Sequence, residues 1–242
     1  MKIVLFADNV VGVEITLFLL ENYPEDLSLI ITTEKNIISE LAQKHNVSTH
    51  VYDSLDSVIS KFPEEIDLGV LAWWPNILKE SLIEKPRYGF VNTHPSLLPY
   101  NRGKHYNFWA LVEEAPFGVT LHRVEPSVDA GAIVAQREIL YDWLDNGESL
   151  YRKAQKTMIE LFCTVYPALR DSNIPSVPQD MAKGSFHLSS ELELASKLHL
   201  DEEYVARNLL NLLRARTFDG HPGCWFEDLG VRYEISISIK KV

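Results

Sequence analysis

An amide and an imidazole stand two residues apart in Val91-Asn92-Thr93-His94-Pro95-Ser96-Leu97-Leu98-Pro99-Tyr100-Asn101-Arg102-Gly103. The stretch opens as the end of an apolar strand, Tyr88-Gly89-Phe90-Val91. In extended chain that spacing puts the Asn92 and His94 side chains on one face. Pro95 and Pro99 stiffen the loop that follows by fixing φ. A carboxylate that could orient the imidazole comes later, in Ser127-Val128-Asp129-Ala130-Gly131. Together, amide, imidazole and carboxylate can stabilise an oxyanion, move a proton and set a tautomer. The other histidines lack such surroundings: His45, His50, His122, His187 and His199 read as structural or solvent-exposed. His105 stays open between a site residue and a plain member of a helix first turn.

The elements that must position these groups alternate strand with helix. Apolar strands are expected at 2–6, 27–33, 47–52 and 66–71, and helices at 10–22, 36–44 and 54–61. That order implies βαβ units and a parallel sheet with helices on both faces. Sites in such sheets lie beyond the carboxyl ends of the strands, where Asp8-Asn9, Trp73-Trp74 and Asn92–His94 would meet. Only Gly12 follows the first strand, with no G-x-G-x-x-G, so a dinucleotide cofactor is poorly supported. Further on, 104–113 reads as a helix, 117–124 as a half-buried alternating strand, and 133–140 as a strand pairing back. A long helix opens at 147, capped by Asp145 and Asn146. Leu150, Ala154, Met158, Leu161 and Val165 recur in it at helical spacing and form a core stripe, and Pro167 should bend or nearly end it. Pro175 and Pro178 mark a linker over 172–184, which divides an expected main domain, 1–180, from a small appendage, 185–242. Two helical patterns fill 188–213, the second running over 204–214 with Asp201-Glu202-Glu203 as its acidic first turn. A loop through Phe218 and Trp225 then leads to a hairpin turning at Asp228-Leu229-Gly230, with 231–239 returning.

The chain has 242 residues, 46% hydrophobic and 24% charged, with a formal net charge of −11. No basic run stands out, and a nucleic-acid partner would usually leave one. Cys163 and Cys224 are too few for a disulfide framework or a metal cluster, and Cys163 reads as a buried inert thiol. The apolar start is cut short by Asp8 and Asn9, and no apolar run approaches a membrane span. A cytoplasmic enzyme with no metal and no membrane partner is the expectation.

Asn-x-His-Pro-Ser-Leu-Leu-Pro, followed by Arg-Gly and later by Asp-Ala-Gly, resembles the folate-dependent formyltransferase family. The likeness is strong over roughly 68–140 and diffuse elsewhere. The run Tyr100-Asn101-Arg102-Gly103-Lys104-His105-Tyr106-Asn107-Phe108-Trp109 most resembles the nucleotide-linked amino-sugar N-formyltransferases. The resemblance implies a Rossmann-like formyltransferase fold, 10-formyltetrahydrofolate as co-substrate, a dTDP- or UDP-linked amino sugar as acceptor, and a place in surface polysaccharide (O-antigen type) synthesis. It carries the catalytic trio onto Asn92, His94 and Asp129. Folate would be held by the aromatic loop Trp74, Asn76 and Leu78, together with Glu125 and Asp129.

Formyl transfer needs donors aimed at a tetrahedral oxygen and an acceptor for the amine proton. Asn92 can supply the first. His94, held by Asp129, can supply the second, and which of the pair is the formal base stays open. For the acceptor sugar, Arg102 and Lys104 at a helix start with free N–H groups would suit a diphosphate. Phe218 and Trp225 could stack a nucleobase, and Tyr100, His105 and Asn9 could line the sugar. Methionyl-tRNA and glycinamide ribonucleotide formyltransferases, a formyltetrahydrofolate hydrolase and a silent nucleotide-sugar or folate binding module remain as alternatives. The hairpin exposes an edge that a second copy could cover to make a homodimer, or that an internal partner could cover.

Overall fold

A computed structural model describes residues 1–171 and 174–242. Its strands are Ile3–Ala7 (β1), Leu27–Thr32 (β2), Thr49–Val51 (β3), Leu68–Ala72 (β4), Phe90–His94 (β5), Arg102–Gly103 (β6), Gly118–Arg123 (β7), Ile133–Glu138 (β8), Phe186–His187 (β9), Cys224–Asp228 (β10) and Val231–Ile235 (β11). Its α-helices are Asn9–Asn22 (α1), Ile37–Lys44 (α2), Leu55–Lys61 (α3), Glu80–Ile83 (α4), Tyr106–Val112 (α5), Gly147–Arg170 (α6), Glu191–Ala195 (α7) and Ala206–Ala215 (α8). Seven strands form one sheet in the order β3-β2-β1-β4-β5-β7-β8. The pairings from β3 to β5 are parallel, and β7 runs antiparallel to β5. The chain divides into two compact units, one of residues 1–94, 120–136 and 155–179, the other of 95–119, 137–154 and 180–242.

In the first unit every residue of β1 and β4 is buried, as a parallel sheet covered on both faces requires. Val4 and Phe6 face one way, onto Val58 of α3, Leu82 of α4 and Trp74. On the opposite face α1 meets the second half of α6, where Phe18 sets its ring edge-on to Phe162 and Tyr166. The helices start where side chains satisfy the first N–H groups. Asp8 accepts from Asn9, Asn36 from Ile38 and Ser39, and Ser54 from Ser57. Pro167 does not end α6, which runs on to Arg170. Tertiary bonds hold its last turn: Tyr166 Oη donates to Asp26 at 2.9 Å and Arg170 Nε to the same oxygen at 2.8 Å. Cys163 is only half-buried, while Cys224 is fully buried, and desolvation raises both thiols.

In the second unit α5 and α8 pack together, and β10–β11 form the expected hairpin. Leu229 and Gly230 both have positive φ, as a tight two-residue hairpin turn demands. Leu198, Leu213 and Cys224 form a small apolar core. The acidic run 201–203 lies outside α8, which begins at Ala206 rather than at 204. Tyr204 is held back because its hydroxyl accepts from the His199 N–H at 2.8 Å. No helix among the described residues is long and apolar enough to cross a membrane.

Gly69 of β4 sits opposite Phe90 of β5, and a Cβ there would fall 2.2 Å from the Phe90 ring. That ring packs edge-on to Phe6 at 5.7 Å, and Phe6 to Trp74 at 5.2 Å. Gly69→Ala should therefore displace Phe90 and cost about 1–3 kcal/mol, as overpacking does. A thermal melt that matches the wild type would show that β4 and β5 tolerate the extra methyl.

Candidate active site

The Asn92 and His94 side chains share one face of β5 because they are two residues apart in extended chain. Thr93 between them points the other way. Its hydroxyl accepts from the Trp73 N–H at 2.8 Å and donates to the Leu71 carbonyl at 3.0 Å, tying β5 to the end of β4. The antiparallel partner β7 puts His122 opposite Asn92 and Thr120 opposite His94. Gln136 Nε2 donates to Thr120 Oγ1 at 2.9 Å. Asp129 reaches the same place from the turn after β7, with φ of 51°. Gln179 holds that turn through Nε2, donating to the Asp129 carbonyl at 2.9 Å and the Gly131 carbonyl at 2.7 Å.

These constraints bring the expected trio together. His94 Nδ1 lies 3.4 Å from Asp129 Oδ1, with the imidazole buried and the carboxylate mostly so. His122, expected to be structural or solvent-exposed, is buried beside them. Its Nε2 lies 3.1 Å from Asn92 Nδ2 and 3.7 Å from Asp129 Oδ1, and its ring stands nearly perpendicular to that of His94 at 6.0 Å. His122 Nδ1 donates to the Arg123 carbonyl at 2.7 Å. Burial, then the neighbouring His94, push the His122 pKa from 6.5 down to about 4, against the opposing pull of Asp129 and the Arg123 carbonyl. The closeness of His122 to Asn92 and Asp129 depends on strand register, which the local sequence does not show. The one available signal was its even spacing from Thr120 in an alternating strand.

His94, His122 and Asp129 present three ligand atoms within 4.8 Å of one another. The His122 Nε2 lone pair is already taken by the Asn92 amide, so a cation there would have to displace that bond. The arrangement as it stands is one for hydrogen bonding and proton movement.

The other expected residues fall into two groups. In the first unit, Trp74 packs its ring into the core against Phe6 and Tyr52, while Leu78 is buried and Asn76, Glu125 and Asn9 are exposed. The Trp74 side chain is thus core. In the second unit, Arg102 and Lys104 do not offer free N–H groups at a helix start. Their N–H groups donate to the Ser185 and His187 carbonyls, because β6 pairs with β9, and α5 begins only at Tyr106. His105 caps α5 with φ of 59°, and burial together with the Arg216 and Lys104 charges lowers its pKa. Tyr100 is half-buried. Phe218 packs edge-on to Tyr151, and Trp225 lies between Arg232 and Lys197 at 4.2 and 4.8 Å.

A mostly parallel sheet thus gathers an amide, two imidazoles and, from the turn after β7, a carboxylate where β5 meets β7, groups able to do acid–base acyl chemistry. The family is shown by a formyl transferase model that matches residues 20–166, and a model for an N-formyltransferase dimerization C-terminal domain matches residues 191–241. The chain belongs to the formyl transferase family. It is 32% identical over 142 residues to the dTDP-4-amino-4,6-dideoxyglucose formyltransferase of Mycobacterium tuberculosis, a match covering 59% of this chain and 60% of that protein. The chain thus spans about 60% of the length of that relative. Its fold is shared with a 4-N formyltransferase from Francisella tularensis, at TM-score 0.83 and 22% identity, over 100% of this chain and 98% of the other. An N-formyltransferase from Helicobacter canadensis, solved with folinic acid and dTDP-3-aminofucose, matches at TM-score 0.70 and 16% identity, over 88% and 80%.

The His122 environment has a consequence for stability. Unfolded, the ring would titrate near 6.5, and folded near 4. As pH falls through that window the unfolded chain takes up a proton that the native site resists, so stability is fully present above 6.5 and is lost towards 4. Across that window the wild type should lose roughly 1–3 kcal/mol more than His122→Gln, which has no such group. Parallel melting curves against pH for the two proteins would refute this contribution.

Proposed function

We propose that the chain transfers a formyl group from 10-formyltetrahydrofolate to the amine of a dTDP- or UDP-linked amino-deoxy sugar. The observation that carries this reading is Asn92 and His94 side by side on one face of β5, with the Asp129 carboxylate brought to His94 by the turn after β7. Family membership supports formyl transfer. The name of the mycobacterial relative, and the folinic acid and amino-sugar nucleotide in the Helicobacter structure, support the two substrates.

In this reaction the sugar amine attacks the formyl carbon, forming a C–N bond and a tetrahedral oxyanion. An Asn92 N–H stabilises that oxygen. The amine proton leaves to His94, whose imidazolium is held by the Asp129 carboxylate. The bond to the folate nitrogen then breaks, and that nitrogen receives a proton through the same pair. Folate lies along the loop of Trp74, Asn76 and Leu78, near Glu125 and Asp129, with the Trp74 ring acting as the floor under the loop. Candidates to contact the nucleotide sugar are Asn9 in the first unit and, in the second, Tyr100, Arg102, Lys104, His105, Phe218 and Trp225. Arg102 and Lys104 meet the diphosphate through side-chain charge, since their N–H groups are already engaged. The product fits surface polysaccharide synthesis of the O-antigen type, carried out in the cytoplasm. Residues 1–180 form the catalytic domain, and 185–242 a small domain through which two copies pair.

Incubation with formyl-folate and a panel of amino-sugar nucleotides should give one product heavier by a formyl group, read by mass spectrometry. Folate turnover without any sugar would make the chain a hydrolase, and binding without turnover would make it a silent module. Asn92→Ala, His94→Ala and Asp129→Ala should each lower turnover by roughly 10²–10³, the usual cost of losing such a group. A variant that keeps near-full rate would lose the role assigned here.

A further inference from the structure

We infer that His122 is a positioning residue that fixes which way the Asn92 amide faces, so that one amide N–H is held and the other is left for the tetrahedral oxygen. The inference rests on the formyl-transfer reading above and assigns that same site a fourth member.

The argument runs through hydrogens that can be placed by elimination. A carbonyl only accepts, so His122 Nδ1, 2.7 Å from the Arg123 oxygen, must carry the ring proton. A neutral ring with its proton on Nδ1 has a bare lone pair on Nε2. That nitrogen lies 3.1 Å from the Asn92 side-chain nitrogen, which can donate to it. A flipped amide would set Oδ1 against the lone pair, two acceptors face to face in a buried place. Only one orientation of Asn92 satisfies the pair. Because the amide is planar, its second N–H is then fixed in the same plane on the face it shares with His94.

The anchor for His122 is itself held. Arg123 donates its N–H to the Ala132 carbonyl at 2.9 Å, and its guanidinium reaches the Tyr88 carbonyl. A Cβ on Gly131 would sit 1.9 Å from the Arg123 oxygen, so only glycine lets that carbonyl lie where His122 needs it. The turn that delivers Asp129 therefore also shapes the anchor of His122.

The test uses the full chain with formyl-folate and the amino-sugar nucleotide that the wild type turns over. His122→Leu removes the acceptor and should lower kcat about 30- to 300-fold, most of the value of one oxyanion donor, with each KM moving less than about threefold. Gln places an acceptor oxygen near the old Nε2, whereas Asn mimics only Nδ1, so His122→Gln should recover most of kcat and His122→Asn should not. Full activity in His122→Leu, or a Gln variant no better than Leu with both folded, overturns the assignment. Nitrogen NMR of the wild-type imidazole decides independently of turnover and of variant folding. A neutral ring protonated on Nδ1 and coupled to the Asn92 amide is expected at neutral pH, and a ring protonated on Nε2 overturns the proposal. A wild type with no turnover on any acceptor, but with that NMR signature, would sink the formyl-transfer reading and leave the amide lock standing.

Discussion

Between β5 and β7 the backbone hydrogen bonds pair Asn92 with His122 and His94 with Thr120. Every functional distance in the first unit depends on that register. A slip of one residue would turn the β7 side chains over to the opposite face. Asn92 would then meet Leu121 or Arg123 where it now meets an imidazole. The register is fixed from both ends. Thr93 ties the middle of β5 back to β4, and the Arg123 guanidinium ties the end of β7 to the Tyr88 carbonyl. Beyond β7, Gly131 lets the Asp129 turn close over the Arg123 backbone.

The switch from parallel to antiparallel at this point explains where the polar groups can live. Strands β1 and β4 are buried throughout and carry no polar side chain in β1 and none in β4. They are stiff and have no room for chemistry. At β5 and β7, buried polar groups appear together: Thr93, His94, Thr120 and His122. Burying polar groups is costly unless they bond one another. Here they do so in sets, with Thr93 serving the backbone, Thr120 taking Gln136, and His122 linking Asn92 to the Arg123 carbonyl. The apolar half of the sheet holds the polar half in place, and the polar half holds the site.

Much of this was legible in the sequence. The strand–helix alternation up to β4 followed from short apolar runs separated by turns. The Asn92–His94 spacing already placed two side chains on one face. What could not be read depends on long-range pairing. His122 looked like any histidine until β7 was laid against β5. The N–H groups of Arg102 and Lys104 looked free until β9, more than eighty residues further along the chain, took them. Trp74 looked like a pocket wall, and its ring turned out to close an aromatic cluster with Phe6 and Tyr52. Pro167 nearly ends α6, as expected, and the one turn beyond it is held by Asp26, from far earlier in the chain, which bonds Tyr166 and Arg170. Local propensity governs such segments only until a tertiary bond outweighs it.

The two imidazoles show how neighbouring strands can give the same side chain two different surroundings. His122 turns its Nδ1 to a carbonyl, which is neutral and accepts a single proton, and its burial disfavours a charge on the ring. It is suited to stay neutral and hold a neighbour still. His94 turns its Nδ1 to a carboxylate, so an imidazolium formed there meets a negative charge at 3.4 Å. In the proposed reaction it is the ring that can take the amine proton and give it up again. Both rings sit near the same Asp129 oxygen, at 3.4 and 3.7 Å. The difference between them lies in what each Nδ1 faces. In that proposal a proton on His94 faces the Asp129 carboxylate, while the amide assigned to the oxyanion is held by His122, whose burial disfavours a charge on the ring.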